Sequence, residues 1–468
     1  MRSIFLLFTL LLSACEQPTT KPVSQLERVK QNGELLVLTR TGPTTYYEGP
    51  EGPAGFEYDL AIGFAKYLGV SLRLEIPDNF AGILKQTEAG KADIAAAGVT
   101  VTTARKQRVN FGPSYQKITP LLVYRQGSRP PKDLSEIHGS LQVVADSSHA
   151  ERLLSVKEDY PDLIIEQNLG LDSEQLLNLV WEKVIKYTVA DSNEVEINQR
   201  YYPELRIAFE LSEPEPLAWA FPPGDDHSLI DQAKTYFNQL RMTGRLDQLL
   251  ERYYGHVNDF DYVETRRYLS HIEKRLPKYR HWFIKAGEKT EIDWRLLAAI
   301  GYQESHWNPK AVSPTGVRGI MMITRDTMKQ LGIDESRHDA ETSIMGGSRY
   351  IKQIKAKIPD RIKEPDRTWM ALAAYNVGFG HLEDARVLTQ RDDADPDKWV
   401  NVKTYLPRLS QKKWYKQTKH GFARGMEPVR YVESVRGYYD ILVWKTNRQQ
   451  ADVESVLREQ FAARTVRN

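Results

Sequence analysis

Cysteine is almost absent from this sequence, since Cys15 is the only one among 468 residues. One thiol cannot form a disulfide within a single molecule, so folds stapled by disulfides are excluded. An excess of charge of one sign is also missing, because 64 basic and 62 acidic residues leave a formal net charge of +2. This balance points to no particular partner, and we expect no nucleic-acid partner. Beyond residue 14 the sequence contains no apolar run long enough to cross a bilayer.

The first residues do contain one short apolar run, residues 4–12, which follows an early arginine and precedes small residues. This layout predicts an export signal over residues 1–14, too short to span a bilayer as a stable helix. The stretch LSAC ending at Cys15 resembles the lipobox of bacterial lipoproteins, which implies acylation of Cys15 and a tether over residues 15–25. We therefore expect a periplasmic position at the outer membrane, lipid-anchored or peripheral. A plain signal peptide with an incidental cysteine is the alternative.

The length of the chain predicts more than one domain, because a single hydrophobic core stops growing at roughly 250 to 300 residues. Residues 26–256 alternate short apolar runs with amphipathic stretches, which predicts an α/β domain with a mainly parallel sheet. Residues 257–270 are polar and predict a linker. Residues 271–468 have helical periodicity with Pro and Gly punctuation, which predicts a mainly α domain.

Three stretches of the first domain, in order, resemble the periplasmic solute-binding proteins of the polar amino acid class: GFEYDL, KADIAAAGVTVTTARKQRVNFGPSY and FNQLRMTGRLDQLLERYYG. The resemblance implies a bilobal domain that closes on a small ligand, such as an amino acid or a cell-wall peptide. It assigns the ligand carboxylate to Arg105, the amine to Asp191, and an anion site at a helix start to Ser147 and Ser148. Structural ion pairs are the alternative for Arg105 and Asp191. The family's Gly-x-x-Asp-Ala is replaced at residues 182–188, which leaves the ligand unidentified.

One helix of the second domain ends in a single acid, Glu304. Asp293 is a suitable N-cap and Pro309 disfavours helix at the preceding residue, so the helix should end close to Trp307. Glu304 continues the apolar face formed by Leu296, Leu297 and Ile300. Apolar surroundings raise the pKa of a carboxyl group, which makes it a candidate general acid. For an isolated Glu, a frayed helix end that reaches solvent would be the commoner explanation.

Further motifs follow Glu304 and Ser305 in a defined order: GVRGIMM, SIMGGSRYI, AYNVG and PVRYV. Together they resemble the soluble-type lytic transglycosylases, helical enzymes similar to goose-type lysozyme that cut bacterial peptidoglycan. The basic stretch QKKWYKQTKHGFAR is compatible with an anionic polymer, although a solvated face is the commoner reason for such a run.

The resemblance implies a role for each matched residue. Glu304 is the catalytic acid and base, and Ser305 beside it helps to orient the substrate. The remaining substrate-binding positions are Gly319, which keeps a turn close to the sugar groove, Met322, Tyr375 and Asn376 at the sugar, and Tyr431, which supports Glu304. Met322 stands where the family usually has Gln, so that hydrogen bond to substrate is not expected. Simple core packing is the alternative for the two tyrosines.

No second catalytic carboxylate accompanies these motifs, although most glycosidases need two. Lytic transglycosylases use the muramoyl 6-hydroxyl of the substrate instead and release 1,6-anhydro products. The resemblance therefore implies a peptidoglycan lytic transglycosylase, with no metal and no cofactor, modulated by a ligand of the first domain. Two alternatives are a receptor whose second domain only binds the wall, and a hydrolase with lysozyme-like products.

Overall fold

The computed structural model describes residues 23–49, 52–255, 262–313, 316–333 and 339–465, with side chains as far as residue 448. The predicted export signal, Cys15 and most of the predicted tether lie outside the described residues. Within these ranges, no helix combines the length and the apolar character that crossing a membrane requires.

The first domain is built from two five-stranded sheets and a short hairpin. Its strands are β1 (Glu34–Leu38), β2 (Tyr47–Gly49), β3 (Gly52–Ala54), β4 (Ser71–Glu75), β5 (Ile94–Ala95), β6 (Asn110–Ile118), β7 (Pro120–Arg125), β8 (Ser140–Val144), β9 (Ile164–Asn168), β10 (Tyr187–Asp191), β11 (Leu205–Glu210) and β12 (Glu215–Phe221). The strand orders are β4-β1-β5-β12-β6 in the first lobe and β11-β7-β10-β8-β9 in the second, and β2 pairs with β3. The chain therefore forms a bilobal α/β domain.

Both sheets are mixed rather than mainly parallel. The pairs β1–β4, β1–β5, β8–β9 and β8–β10 are parallel, whereas β5–β12, β6–β12, β7–β10 and β7–β11 are antiparallel. The antiparallel strands are those next to the two crossings between lobes, from β6 to β7 and from β11 to β12. Each crossing brings a strand into its new sheet in reverse, which the alternation of strands and helices along the sequence does not reveal.

Helices cover both faces of these sheets. Those of the first domain are α1 (Gln25–Asn32), α2 (Phe56–Leu68), α3 (Phe80–Glu88), α4 (Ser148–Ser155), α5 (Ser173–Trp181), α6 (Ser192–Tyr201), α7 (Ser228–Met242) and α8 (Arg245–Tyr254). The apolar face of α2 packs into the core of the first lobe, where Leu60 and Phe64 are fully buried. Gly255 caps α8, the last helix of this group.

The second domain is helical throughout the part that is described. Its helices are α9 (Tyr262–Lys274), α10 (Arg280–Thr290), α11 (Trp294–Ser305), α12 (Arg325–Gln330), α13 (Ala340–Lys357), α14 (Asp366–Val377), α15 (Phe379–Arg391), α16 (Trp399–Tyr405), α17 (Lys412–Tyr415) and α18 (Met426–Thr465). They enclose one large core, in which α11 packs against α10 and α18, and α14 packs against α13 and α18.

The predicted linker over residues 257–270 is largely helix, because α9 begins at Tyr262; residues 256–261 are outside the described part. One side of α9 is polar and exposed, which is why the sequence predicts a linker there. Its other side buries Thr265 and Tyr268 in the core of the second domain.

Candidate active site

Helix α11 carries Glu304 on its last turn. The helix begins at Trp294, as the sequence predicts, and Asp293 caps it by accepting a 2.9 Å hydrogen bond from the Arg295 N–H. It ends at Ser305, because the two residues that follow have left-handed φ angles of 52° and 54°. Trp307 then turns back into the core, where its Nε1 donates to the carbonyl of Ala298 at 2.8 Å. This sharp turn leaves Glu304 at the helix end.

Among the described residues, the carboxylate of Glu304 has one hydrogen-bond partner, the phenol of Tyr431. Tyr431 lies on α18 and donates from its hydroxyl to Glu304 Oε1 at 2.7 Å. Burial raises the pKa of Glu304 to about 7, and the hydrogen bond from Tyr431 opposes that rise. These are the two causes of the shift, and neither is an ionised side chain. The carboxyl group is therefore divided between its acid and base forms near neutral pH.

Tyr375 and Tyr431 lie next to Glu304, and Tyr350 packs on Tyr375. The ring of Tyr375 lies 6.4 Å from that of Tyr431, at an interplanar angle of 18°, and 5.4 Å from that of Tyr350. The Tyr375 hydroxyl donates to the carbonyl of Met321 at 2.8 Å. Burial, together with the charge of Glu304, raises the pKa of Tyr375 and of Tyr431 well above the usual value, so both remain neutral donors. The sequence alone indicated no role for Tyr350.

Asn376 follows Tyr375 on α14, and its side chain is exposed. The predicted residues Glu304, Tyr375 and Tyr431 are brought to one site from helices far apart in the sequence, and Asn376 is the next residue of α14. Its exposed amide is open to a polar group that enters from solvent.

Two predicted residues have contacts that differ from those expected. The hydroxyl of Ser305 is buried and lies 2.8 Å from the carbonyl of Ile320 and 3.1 Å from that of Gly301, so it fastens the turn to α11 rather than facing a substrate. Gly319 has a φ of 104°, and a Cβ there would lie 2.7 Å from the hydroxyl of Ser343. This close approach to α13 explains the glycine without reference to a sugar groove.

Met322 is partly exposed and has a φ of 45°, which is unusual for a residue with a side chain. The main chain of its neighbour is fixed from both sides: Met321 N donates to the hydroxyl of Ser343 at 3.0 Å, and its carbonyl accepts from Tyr375. The turn that carries Met322 is therefore held rigidly beside Glu304. Among the described residues there is no group of three or more His, Cys, Asp or Glu side chains that could hold a metal ion.

The second predicted site lies between the lobes of the first domain, where Arg105 is engaged by the protein itself. The Arg105 guanidinium is 1% exposed and pairs with Glu151 of the second lobe, Nε to Oε1 at 2.9 Å. It also donates to the carbonyls of Thr100 at 3.3 Å and Asp146 at 3.1 Å. The interpretation of Arg105 as a structural ion-pair residue is therefore the one that its contacts favour.

Asp191 is buried at the N-terminus of α6, and its Oδ1 lies 3.3 Å from Nε2 of His149 without forming a hydrogen bond. Burial and the nearby Glu194 raise the pKa of Asp191. The two serines start α4: the Ser147 hydroxyl caps the Ala150 N–H at 3.2 Å, and the Ser148 hydroxyl donates to that of Thr100 at 3.2 Å. The four predicted residues thus share one interlobe site.

Sequence reasoning missed two acids of this cleft, Glu151 and Glu194. Glu194 forms an ion pair with Arg40, which joins the second lobe to the first. The cavity that remains between the lobes is about 10 Å³, lined in part by Arg40, Glu57 and Asp191, and holds about one water molecule. An amino acid can enter only if the lobes separate. Glu151 follows Ser147 by one helical turn, which was the available signal.

Two family models match separate parts of the chain. Residues 281–398 match the family described as Transglycosylase SLT domain, and residues 35–256 match Bacterial extracellular solute-binding proteins, family 3. The first domain resembles a crystal structure of ArgBP from T. maritima with a TM-score of 0.45 and 22% identity, over 49% of this chain and 99% of that one.

Two relatives are similar over nearly the whole length. Membrane-bound lytic murein transglycosylase F 1 of Alkalilimnicola ehrlichii is 51% identical, over 94% of this chain and 90% of its own. Membrane-bound lytic murein transglycosylase F of Hahella chejuensis is 48% identical, over 94% of this chain and 86% of its own. With both domains matched and this identity maintained across them, the chain belongs to the membrane-bound lytic murein transglycosylase F family.

Proposed function

We propose that Glu304 alone supplies both the acid and the base for the peptidoglycan lytic transglycosylase activity of this family. The substrate bond is the β-1,4 linkage between N-acetylmuramic acid and N-acetylglucosamine. Neutral Glu304 protonates the glycosidic oxygen as the bond to the muramoyl C1 breaks. The resulting carboxylate then takes the proton of the muramoyl 6-hydroxyl, whose oxygen attacks C1 and closes a 1,6-anhydro ring. Atoms and charge balance without water.

The observation that carries this proposal is the setting of Glu304. A group that first gives and then takes a proton works best when its pKa lies near the ambient pH, and burial places the pKa of Glu304 at about 7. A nearby cation would hold the carboxyl ionised and remove its acid form. The one polar contact described, from the neutral phenol of Tyr431, orients the carboxylate without doing so.

Tyr375 and the adjacent Asn376 support the same assignment, because Tyr375 lies close enough to Glu304 to feel its charge. We assign the exposed amide of Asn376 to the substrate's N-acetyl group or a sugar hydroxyl. The hydroxyl of Tyr375 donates a hydrogen bond to the main chain, so the part of Tyr375 that we assign to contact with a sugar is its ring. Ser305 and Gly319 act through the turn that they hold.

The test is a mass analysis of fragments released from purified peptidoglycan by the protein lacking residues 1–15, beside Glu304→Gln. Anhydro-muropeptides, one water lighter than hydrolysed fragments and absent with the variant, are the expected result. Hydrated products would make the protein a hydrolase. No product from either protein would favour a receptor that only binds the wall.

We further propose that the protein is held at the periplasmic face of the outer membrane by acylation of Cys15. The motif LSAC and the following Glu16 support this. Cys15→Ser should release the protein from the membrane fraction into the soluble periplasm, whereas persistence in the membrane fraction would contradict a lipid anchor.

A ligand in the interlobe cleft is proposed to modulate the enzyme through α6. This helix begins at the cleft, with Asp191 and Glu194, and ends against α18. There Arg200 pairs with Asp440 at 2.9 Å, and the Tyr201 ring stacks on Trp444 with centroids 4.9 Å apart. Helix α18 is the element that carries Tyr431.

The first lobe contacts α18 as well, through Glu251 of α8. Arg436 is buried and donates to Glu251 Oε1 at 3.0 Å, while its guanidinium lies 3.8 Å from the ring centroid of Trp369 on α14. Lys403 also pairs with Glu251 at 2.7 Å. Because α18 is attached to both lobes, a change in the angle between the lobes must strain one attachment or move the helix that positions Tyr431.

Trp444→Ala tests this route. Free amino acids and short wall peptides would first be screened for binding by thermal shift, and the initial rate would be measured with each binder. We expect binders to change the rate of the wild type but not of Trp444→Ala, with Trp282→Ala as a control on another surface. Equal wild-type rates with and without every binder would contradict modulation.

A further inference from the structure

The segment of residues 411–424, here called the basic segment, is not used by the chemistry described above. It contains Lys412, Lys413, Lys416, Lys419 and Arg424 and no acidic residue. All five side chains are exposed. Among the described residues Arg424 pairs with Glu427, whereas the four lysines have no carboxylate within ion-pair distance. Four free ammonium groups in one short segment form a surface that favours an anion.

The basic segment is fixed beside the active site. Buried Asp384 of α15 accepts hydrogen bonds from the main-chain N–H groups of Lys419 at 3.1 Å and His420 at 2.9 Å. The ring of His420 packs on Gly380, where a Cβ would lie 2.7 Å from it. Gly380 is four residues beyond Asn376, on the first turn of α15. The segment is therefore anchored at the site rather than remote from it.

The C-terminal end of the basic segment leads directly into α18, the helix that carries Tyr431. The Ala423 N–H donates to the carbonyl of Leu409 at 3.1 Å, and α18 begins at Met426, five residues before Tyr431. The basic segment is thus packed against the first helix after Asn376, α15, and continues into the helix that carries Tyr431. A substrate that extends past these two residues in this direction meets the segment.

The segment also presents aromatic surface. Phe422 is 57% exposed, and its ring meets Tyr415 edge to face with centroids 5.7 Å apart. Trp414 is held between the guanidinium of Arg408, 4.7 Å from its ring, and Lys413 at 5.2 Å. Exposed rings between cations suit a ligand that carries both apolar groups and carboxylates.

We propose that the basic segment is a second substrate subsite, which binds the peptide of the muramoyl residue through that peptide's carboxylates. The inference rests on the proposed function. The amino sugars of peptidoglycan carry acetylated, uncharged nitrogen, so the glycan chain itself offers little for four lysines to bind. The attached peptide offers free carboxylates and the methyl groups of alanine. The cleaved bond is next to a muramoyl residue, which places a peptide close to Glu304 whenever the chain is bound.

The test uses two substrates: glycan strands that carry their peptides, and the same strands after an amidase has removed them. The variant changes Lys412, Lys413, Lys416 and Lys419 to Gln. Because exposed ion pairs are individually weak, we expect kcat/KM on peptide-bearing strands to fall roughly tenfold, mainly through KM. The fall should be much smaller on stripped strands, which keep only the lactyl carboxylate of each muramoyl residue. A control that changes Lys274, Lys278, Lys289 and Lys329 to Gln alters the net charge equally and should match the wild type on both.

An equal loss on both substrates would overturn the proposal, since the segment would then act on the glycan or on the site itself. No loss on either would make it a solvated face. Loss of binding to vesicles of anionic phospholipid, with unchanged rates on soluble strands, would assign it to a membrane instead. If the wild type released no anhydro products, the proposed function would fail, whereas a wild-type kcat/KM of the four-lysine variant on peptide-bearing strands would refute only this subsite.

Discussion

Two carboxylates of the interlobe cleft differ from the one carboxylate at the active site. In the cleft Glu151 pairs with Arg105, and Glu194 pairs with Arg40. In the second domain Glu304 is half-buried and accepts a hydrogen bond from the neutral phenol of Tyr431. Glu151 and Glu194 are thus bound by cations of the opposite lobe, whereas the pKa of Glu304 is set by burial and one phenol.

The difference shows what each arrangement is suited to do. Although burial opposes it, the charge of Arg40 keeps the pKa of Glu194 below its usual value, so the pair stays ionised and joins the lobes. The pKa of Glu304 lies near 7 instead, so the proton can leave and return. Glu194, paired with a cation, joins the lobes, whereas Glu304, whose pKa no cation lowers, is available for proton transfer.

Glu304→Gln should have the largest effect on activity. Glutamine can neither give nor take the proton, so we expect a loss in rate of about 10³-fold, the usual scale of general acid-base catalysis. Initial rates on purified peptidoglycan measure it, and the melting temperature should not fall because a costly buried acid is removed. Glu288→Gln, an exposed substitution in the same domain, should keep full activity. Comparable activity in the two variants would remove Glu304 from the mechanism.

Arg40→Met removes the cation that pairs with Glu194 in the interlobe cleft. Glu194 is then buried without its partner, and the free energy of unfolding should fall by about 3 kcal/mol at pH 7. Because the folded pKa of Glu194 is lowered, the pair's contribution is present above the usual pKa of glutamate and is lost as pH falls through the folded pKa. Denaturant titrations of wild type and variant should therefore converge in acid. A constant difference down to pH 3 would contradict an ionic origin.

Ser305→Ala separates the effect of a supporting hydrogen bond on stability from the effect of the catalytic acid on the rate. Its hydroxyl joins α11 to the turn at Ile320, so its loss should lower the free energy of unfolding by about 1 kcal/mol. We expect kcat on glycan strands to change much less than in Glu304→Gln. A loss of kcat as large as that of Glu304→Gln, with unchanged stability, would instead restore the substrate role that the family resemblance implies.

Much of the active site could be predicted from the sequence, because its motifs are local. The N-cap at Asp293 and the helix that ends beside Glu304 follow from short patterns, and the role of Tyr431 beside Glu304 is one that the family resemblance implies. The patterns do not predict which way a side chain points. The inward hydroxyl of Ser305 depends on how the last turn of α11 meets the turn at Ile320, which spacing does not determine.

The cleft was predicted less well, for a physical reason. The pairing of Arg105 with Glu151 joins two lobes whose meeting depends on the closure of the whole domain. The mixed order of both sheets likewise follows from strands that cross between lobes. Neither feature has a signal within a few residues of sequence.

The most direct test of the account is the pH dependence of kcat/KM on soluble glycan strands, for the wild type and for Tyr431→Phe. The acid form of Glu304 must start the reaction, so the wild-type value should fall as pH rises through about 7. The phenol lowers the pKa of Glu304, so its removal should move that fall to higher pH, a smaller effect than those above. A wild-type fall near pH 4.5, the ordinary value for glutamate, that Tyr431→Phe leaves in place would contradict the claim that Glu304 acts as a buried acid without a cation.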